Sequence, residues 1–498
     1  MTRSSRALAA LGGVLSALAG LAAGSLTAAV LGSRLTPVVA VGSAFIDRVP
    51  PWLKDLAIQL FGTHDKTALR AGIVVVLLLL AAASGLLAVR RPQLGLAIAA
   101  GLALVAVAAA MSRPDAGPAD ALPAALAGVV SMVCLYVLSG RLAVAVPEEG
   151  GRRGFLRLAG GVALGSAGVA GLARVAGGKR TAVAEAREEL RLPLPASTAP
   201  PPGVQAEGAV PWQTPNREFY RIDTALSVPL MKPADWRLRI HGMVDRELTL
   251  TYDDLLRRPV VHRWITLCCV SNEVGGGLIG NALWSGVLLK DLLAAAGPHA
   301  DADAVLATSI DGFTCGTPLQ AMTDGRAAML AFGMNGEPLP VEHGFPVRVV
   351  VPGLYGYVSA TKWVMSLEVS RFDRFDAYWT PRGWSEQAPI KTQSRIDRPS
   401  SKAKAGPVVV AGVAWHQHVG ISAVEVRVDG GPWQRTTLAE PGSIDCWREW
   451  HWTWDAAHGN HILQVRAIDA TGTPQTEDAA PPAPDGATGL HTVNIKVT

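Results

Sequence analysis

Charge is what this 498-residue chain has least of: 17% of its residues are charged, against 49% that are hydrophobic. An ordinary globular protein is about a quarter charged. Cysteine is scarce too, five in all, with no CxxC. That excludes a small disulfide-stapled scaffold, and without a CxxCH there is no attachment point for a c-type haem. The chain has no dense Lys/Arg block and a net charge of only +4, so nucleic acid is not an expected partner. Tryptophan is nearly missing from the early part: of fourteen, only Trp52 precedes Trp212. No internal repeat stands out. The composition excludes a disordered or collagen-like chain, and the length leaves room for about two to four domains.

What is present early is Ala, Leu, Val and Gly in long runs. Segments 7–31, 71–89, 94–111, 121–140 and 155–176 are long enough to cross a bilayer. The fifth is weaker, with Arg157 and Arg174 placed to snorkel at its ends. Arg3 and Arg6, then Arg90 and Arg91, then Arg141, Arg152 and Arg153 all fall on one side of this series. The opposing loop holds Arg34, Arg48, Lys54, Lys66 and Arg70, so the basic excess is modest, and it assigns the first side to the cytoplasm. Five spans from a cytoplasmic start leave everything after Lys179 outside. Within the loop 32–70, Trp52, Leu53, Leu56 and Leu60 recur at helical spacing, which predicts an interfacial helix over 51–62. No His lies in a predicted span, so a bis-His membrane haem is not expected. The expected role of residues 1–180 is therefore anchoring in a lipid bilayer. Arg152-Arg153-Gly-Phe-Leu-Arg and the mild stretch after it resemble a twin-arginine export signal, here internal. A positive-inside anchor is the plain alternative. Ala182 and Ala184 form an A-x-A-like site, which leaves cleavage open.

Residues 181–209 are proline-rich at 193, 195 and 200–202 and read as an extended linker. Beyond it, strands are expected over 236–241, 262–270, 304–310, 346–351 and 361–369. Thr251 is placed to cap a short helix, Ser285 to cap a helix over 287–296 closed by Gly297-Pro298, and Thr317-Pro318 to open another. Asn335-Gly336 is a hairpin turn. Strands and short helices without a regular βαβ rhythm predict an α+β domain over 210–402.

Cys268 and Cys269 are adjacent on a strand, so only one can face a site. Two small core residues are the plain reading; a soft thiolate ligand for a metal is the sharper one. Cys269-Val-Ser-Asn272 runs on into Gly275-Gly276-Gly277, a loop whose backbone can approach a bulky anion. Further on, His343, Arg348 and Lys362 surround Gly-rich turns and can hold a phosphate. Each also has a plain reading, as a turn cap, a surface ion pair or a solvated charge.

Taken together, Asn335-Gly-Glu-Pro-Leu-Pro-Val-Glu-His343-Gly-Phe-Pro-Val-Arg348, the later Lys362-Trp363, Cys-x-x-Asn at 269–272 and the run Pro-Ile-Lys-Thr-Gln-Ser-Arg-Ile-Asp at 389–397 resemble the sulfite oxidase superfamily of molybdopterin-dependent oxidoreductases. The likeness covers roughly residues 210–498. It implies that the Cys269 thiolate binds molybdenum, together with one pterin dithiolene and oxo groups. It implies pterin contacts from Asn216, Phe219, Tyr220 and Arg221, and further pterin or phosphate contacts from Asn272, His343, Arg348, Ser359, Thr361 and Lys362, with Thr308 or Asp311, at a strand end, as a weaker carry-over. Where animal and plant sulfite oxidases carry a substrate-binding arginine after the Cys-Ala-Gly-Asn run, this chain has Glu273, and Val358 stands near a second such position. An acidic pocket repels sulfite, which favours a neutral sulfoxide, N-oxide or other oxo-transfer substrate. Trp264, Trp284, Phe313, Tyr355, Tyr357, Trp379 and Trp384 are candidates to line an apolar pocket, or else core.

From 403 to 498 the pattern is β throughout, with Trp450, Trp452 and Trp454 on one face and an Asp429-Gly430 turn. This predicts an all-β sandwich, similar to the immunoglobulin-like dimerisation domain of sulfite oxidases, and hence a homodimer contact. Cys315 and Cys446 are candidates for a bridge that sequence cannot place. The resulting expectation has three parts: an all-α transmembrane anchor of about five helices, an α+β sulfite-oxidase-like molybdopterin domain, and an immunoglobulin-like sandwich. Together they form a multi-pass cell-membrane enzyme with an extracytoplasmic catalytic domain, a small-molecule substrate and a separate electron-transfer partner. The alternatives are a sulfoxide-reductase-type enzyme fed by a membrane donor, and a non-catalytic surface scaffold.

Overall fold

The computed structural model describes residues 3–31, 33, 35–49, 65–113, 116–144, 149–176 and 179–498. The chain divides into two compact units: Met1–Ala182 with Thr224–Pro229, and Val183–Asp223 with Leu230–Thr498.

The first unit is helical: α1 (Arg3–Leu31), α2 (Pro37–Arg48), α3 (Asp65–Ala88), α4 (Pro92–Met111), α5 (Leu122–Val144) and α6 (Glu149–Ala176). Five stretches are long and apolar enough to cross a membrane: Ser5–Leu31, Ala68–Ala88, Pro92–Met111, Pro118–Leu142 and Arg153–Val175. They coincide with the five segments read from hydrophobic run length. α1 packs on α3, α5 and α6. Small residues bring these helices close: a Cβ at Gly13 would collide with the Ala81 carbonyl, and one at Gly20 with that of Ala127. Buried hydroxyls are satisfied within the bundle; Ser84 donates to the Gly95 carbonyl at 2.8 Å. The interfacial helix expected over 51–62 lies outside the described residues.

The expected linker is partly helical: α7 (Lys179–Glu189) takes its first residues, Ala182 and Ala184 among them. The segment lacks proline until Pro193 and is rich in good helix formers. Val183 is buried in the second unit's core, and Arg187 donates to the Leu339 carbonyl at 2.9 Å.

The middle of the chain holds two mixed sheets. One has the order β2 (Leu248–Thr251), β1 (Arg237–Gly242), β10 (Val364–Ser370), β5 (Ala304–Ser309), β6 (Thr314–Pro318), with β1 and β10 parallel. The other runs β3 (Val261–Cys268), β4 (Ile279–Leu288), β7 (Met329–Met334), β8 (Glu337–Pro338), and β9 (Arg348–Val350) joins β7. Three short helices connect them: α8 (Tyr252–Leu256), α9 (Leu289–Ala296) and α10 (Leu319–Thr323). Thr251 caps α8 as expected, its hydroxyl accepting from the Asp254 N–H at 3.1 Å while that carboxylate takes the Thr251 N–H at 2.9 Å. Ser285 does not cap α9. β4 continues through Leu288, and Ser285 is buried within it, 2.9 Å from His262 Nδ1. A strand buried on both faces gives a continuous apolar run, which period alone cannot distinguish from helix. Asn335 and Gly336 turn at φ +54° and +79°, the conformation a two-residue hairpin needs.

The last hundred residues form two sheets over one core. The first is β11 (Gln393–Arg398), β13 (Gly406–Trp415), β17 (Arg448–Ala456), β16 (Thr437–Leu438); the second is β12 (Lys402–Ala403), β19 (His491–Val497), β18 (Gly459–Asp469), β14 (Ile421–Val428), β15 (Gln434–Arg435). Val410, Trp450 and Trp454 from one layer meet Val424, Leu463 and Ile495 from the other. Cys315 and Cys446 are both free thiols.

Trp450 is fully buried between the layers. Trp450→Ala should lower stability by ~3–5 kcal/mol. Thermal unfolding of the detergent-solubilised chain will show a lower Tm; an unchanged Tm would contradict the shared core.

Candidate active site

β3 ends at Cys268, and the chain turns at once. The Cys269 N–H donates to the Leu278 carbonyl at 2.9 Å and the Asn272 N–H to the Cys269 carbonyl at 3.0 Å. Asn272 Oδ1 accepts from the Leu278 N–H at 2.7 Å, which closes the loop from inside. Strand alternation sends Cys268 into the core, 1% exposed, and leaves Cys269 at the strand end, 8% exposed. Two of the glycines beyond serve packing. A Cβ at Gly275 would strike the His491 ring, one at Gly276 would strike Asn272 Oδ1, and Arg395 donates to the Gly276 carbonyl at 2.8 Å. Gly277 has open space around it.

An arm lies across β4 and the β7–β8 turn. Asn335 Nδ2 donates to Asn216 Oδ1 at 2.8 Å, and Asn216 Nδ2 to the Met334 carbonyl at 3.3 Å. Phe219 lies close on Gly280, where a Cβ would come within 2.8 Å of its ring. Its ring stacks on Tyr220 (centroids 5.2 Å apart) and meets Trp284 and His343 edge-on. His343 Nε2 lies 3.2 Å from the Asn216 carbonyl. Gly356 belongs to the same surroundings: a Cβ there would sit 3.6 Å from the Cys268 carbonyl and 3.7 Å from the Tyr220 hydroxyl.

Buried positive charge dominates. Arg348 is 4% exposed; its guanidinium donates to the carbonyls of His343 (3.2 Å) and Ala360 (3.4 Å) and lies 5.0 Å from the Trp284 ring centroid. It has no carboxylate partner among the described residues. Lys362 Nζ donates to Asp223 Oδ2 at 3.1 Å and to the Glu342 carbonyl at 3.2 Å. Arg221 Nε shares that carboxylate oxygen at 2.9 Å. Ser359 donates to the Leu354 and Tyr355 carbonyls at 3.0 Å. The buried Thr361 hydroxyl has no nitrogen or oxygen partner among the described residues and faces the weakly polar Cys315 thiol. Asn272 Nδ2 is likewise unpartnered.

The titration pattern follows. Burial pulls Lys362 down to about 8 against the opposing pull of Asp223, with Arg348 adding to the depression. Burial, then Lys362 and Arg348, holds His343 at about 3, so it is neutral at physiological pH. Burial lowers Arg348 to about 10. Burial raises the Tyr220 hydroxyl well above its ordinary value, and thiolate charge at Cys269 and Cys268 would raise it further. Burial raises the Cys269 thiol, while hydrogen bonds from Ser271 and the charge of Lys362 oppose the rise.

The structure thus brings together Asn216, Phe219, Tyr220, Arg221, Cys269, Asn272, His343, Arg348, Ser359, Thr361 and Lys362. Thr308 stands apart from them in hydrogen bonding: it sits in β5 between Ser366 and Thr314 on the neighbouring strands. Sequence reasoning missed Asp223, which is 5% exposed in its side chain and joins Arg221 to Lys362. Nothing in the arm's sequence separates it from Glu218, whose side chain is 55% exposed. Ser271 was missed too. Of the candidate pocket aromatics, Trp284 and Tyr355 are core, whereas Tyr357 and Trp379 line an open recess.

A buried guanidinium and a buried ammonium with a single carboxylate between them, an unpartnered hydroxyl and amide, and a nearby thiol fit a phosphate-bearing group that also holds a soft metal. The comparisons with known proteins agree. Residues 225–379 match the family described as oxidoreductase molybdopterin binding domain. Mitochondrial sulfite oxidase of Mus musculus is 31% identical over 338 residues, covering 58% of this chain and 61% of that one. The uncharacterized oxidoreductase YuiH of Bacillus subtilis is 32% identical over 149 residues, 30% of this chain and 72% of its own length. The solved structure of the sulfane dehydrogenase SoxCD from Paracoccus pantotrophus superposes with a TM-score of 0.51 at 25% identity, over 62% of this chain and 89% of that one. The chain belongs to the molybdopterin-binding oxidoreductases of the sulfite oxidase superfamily. It spans about three fifths of the mouse sulfite oxidase it matches.

Lys362 carries a testable consequence. Below about pH 8 it is protonated, and Arg348 is charged throughout this range. Sulfate, which does not titrate here, should bind the cofactor-free protein most tightly below pH 8. Its affinity should then fall by up to about tenfold per pH unit above that value. Lys362→Met should remove the dependence, and calorimetric titration at pH 7 and pH 9 decides it.

Proposed function

We propose that this chain is a membrane-anchored oxidoreductase that carries out two-electron oxygen-atom transfer on a small substrate, at a molybdenum–molybdopterin group with one pterin, outside the cytoplasm. The observation that carries the reading is the Cys269 thiol at a strand end, near the buried cations Arg348 and Lys362, which have one carboxylate, Asp223, between them.

Cys269 would hold the metal through Sγ. Asn216, Phe219 and Tyr220 would flank the pterin, with Asn272 behind the thiol. Arg221, His343, Arg348, Ser359, Thr361 and Lys362 would take its polar edge and phosphate; Thr308 is the weakest member of the set. When bound, that group supplies the oxygen-atom transfer and accepts or donates the electron pair; the protein binds, orients and tunes. Cys269 must lose its proton to ligate, and the Ser271 hydrogen bonds and Lys362 charge favour the thiolate against burial. Tyr220 keeps its proton across the physiological range and so presents a hydrogen-bond donor beside Cys269. Neutral His343 offers an imidazole without adding repulsion to the two cations. Arg348 and Lys362 hold phosphate charge in a dry setting, where each contact is strong.

Glu273, exposed four residues after Cys269, stands where the resemblance carries an arginine. A carboxylate there opposes a sulfite dianion, so a neutral sulfoxide or N-oxide suits the site better. The five apolar helices support anchoring in a bilayer, and the basic residues flanking them support a cytoplasmic start. Arg152-Arg153 supports export of the folded protein. Electrons would then pass to or from a separate protein. The two-layered C-terminal domain suits an immunoglobulin-like role as a homodimer contact.

The test is metal and pterin content of the full chain, produced in a host that makes the cofactor, beside Cys269→Ser. The account expects near-stoichiometric molybdenum and pterin in the parent chain. It expects the variant to lose at least about a thousandfold in oxo-transfer rate, as when an essential group is removed. Well-folded parent protein without metal or pterin would refute it and favour a non-catalytic scaffold.

A further inference from the structure

The loop after Cys269 joins the end of β3 to the start of β4. Its tip is open: Ser271, Glu273 and Gly277 are exposed, while Gly275 and Gly276 are half-buried. Inside the loop, the Gly276 N–H donates to the Glu273 carbonyl at 2.8 Å. A loop with so little packing of its own keeps one position only where something outside ties its backbone down.

Two residues of the C-terminal sandwich close on it. The first is Arg395, in the edge strand β11. Its Nη1 donates to the Gly276 carbonyl at 2.8 Å and its Nε to Asp397 Oδ1 at 2.6 Å. The Arg395 side chain is 12% exposed and that of Asp397 9%, so both bonds are largely out of water. A register shift between Ile396 and Arg398 lies beside the pair, and such bulges re-aim side chains. β11 also lies tight on β13, where a Cβ at Gly412 would strike the Arg395 carbonyl. The base of the arginine is thus fixed by the sheet, and its fork by the carboxylate.

The second is His491, in β19 of the other sheet. Its ring fills the space a side chain at Gly275 would need, and Gly275 sits at φ +77°, which suits glycine. His491 Nδ1 accepts from the Ile396 N–H at 2.9 Å, so the neutral ring carries its proton on Nε2. Burial, then the charge of Arg395, holds His491 at about 4, and it adds no repulsion to the guanidinium at physiological pH. Ile396 joins the two residues into one clasp.

We propose that Arg395 is a positioning residue for the metal-binding thiol: from the C-terminal domain it fixes the Gly276 carbonyl and, through the loop, the direction of Cys269. The connection is short. A Cβ at Gly276 would strike Asn272 Oδ1, that oxygen takes the Leu278 N–H at 2.7 Å, and the Leu278 carbonyl takes the Cys269 N–H at 2.9 Å. Displacing Gly276 therefore disturbs Asn272, Leu278 and Cys269 in turn. The sandwich takes part in the site instead of hanging from it. The inference rests on the reading of Cys269 as the metal ligand.

Amide hydrogen exchange of the cofactor-free full chain in detergent tests the clasp without the metal. Arg395→Met should speed exchange across 270–278 at least about tenfold, as for loss of a hydrogen bond from a charged donor, and leave β13 and β17 unchanged. That change strands a buried Asp397, so Arg395→Met combined with Asp397→Asn is measured beside it and should give the same result. In the molybdenum-loaded chain, Arg395→Met should alter the thiolate-to-metal charge-transfer absorption, which depends on the direction of the sulfur. Arg395→Lys, which keeps a charged donor for the Gly276 carbonyl, should restore most of it. Unchanged loop exchange in both variants, or a parent-like absorption in loaded Arg395→Met, would overturn the proposal and leave the metal reading intact. A parent chain that takes up no molybdenum would overturn that reading, and this proposal with it.

Discussion

The second unit is organised around buried positive charge that its carboxylates neutralise only in part. Arg348 and Lys362 lie out of water, and Asp223 is the carboxylate that answers Lys362, shared with Arg221. Taking such groups out of water is costly unless they are paired. The fold offsets part of this with carbonyls: those of His343 and Ala360 receive Arg348, and that of Glu342 receives Lys362. This accounts for the depressed values of Lys362 and His343 in one stroke, since burial and mutual repulsion act on both.

The secondary structure exists to hold that arrangement. β3 delivers Cys269 and stops; β9 delivers Arg348; the turn at 356–362 delivers Ser359, Thr361 and Lys362. The arm over 216–223 closes the set, fastened by Asn335 at the hairpin tip. One asparagine thus serves both the turn, through its positive φ, and the site, through its amide.

Legibility from sequence followed the strength of the physical constraint. Crossing a bilayer demands length and apolarity, so the five helices long and apolar enough to do so could be read almost to the residue. Thr251, Asn335-Gly336 and Asp429-Gly430 carry local chemistry that specifies a cap or a turn by itself. The candidate site residues were singled out only because several motifs occurred in order; none of them was specific alone. Ser285 misled because a doubly buried strand and a buried helix share one pattern. The segment 179–189 misled because the prolines that follow it coloured the whole stretch. The packing of Gly275 on His491 and of Gly276 on Asn272 is seen only in tertiary contact. Asp223 left no trace, since its partner Lys362 is far along the chain.

The central claim is that Cys269, and not its neighbour Cys268, binds the metal. Molybdenum-edge X-ray absorption of the full chain in its loaded form addresses this directly. The account predicts that Cys269→Ser removes one sulfur from the metal's surroundings, whereas Cys268→Ala leaves the sulfur shell unchanged. An unchanged shell in Cys269→Ser, or a sulfur lost in Cys268→Ala, would contradict it.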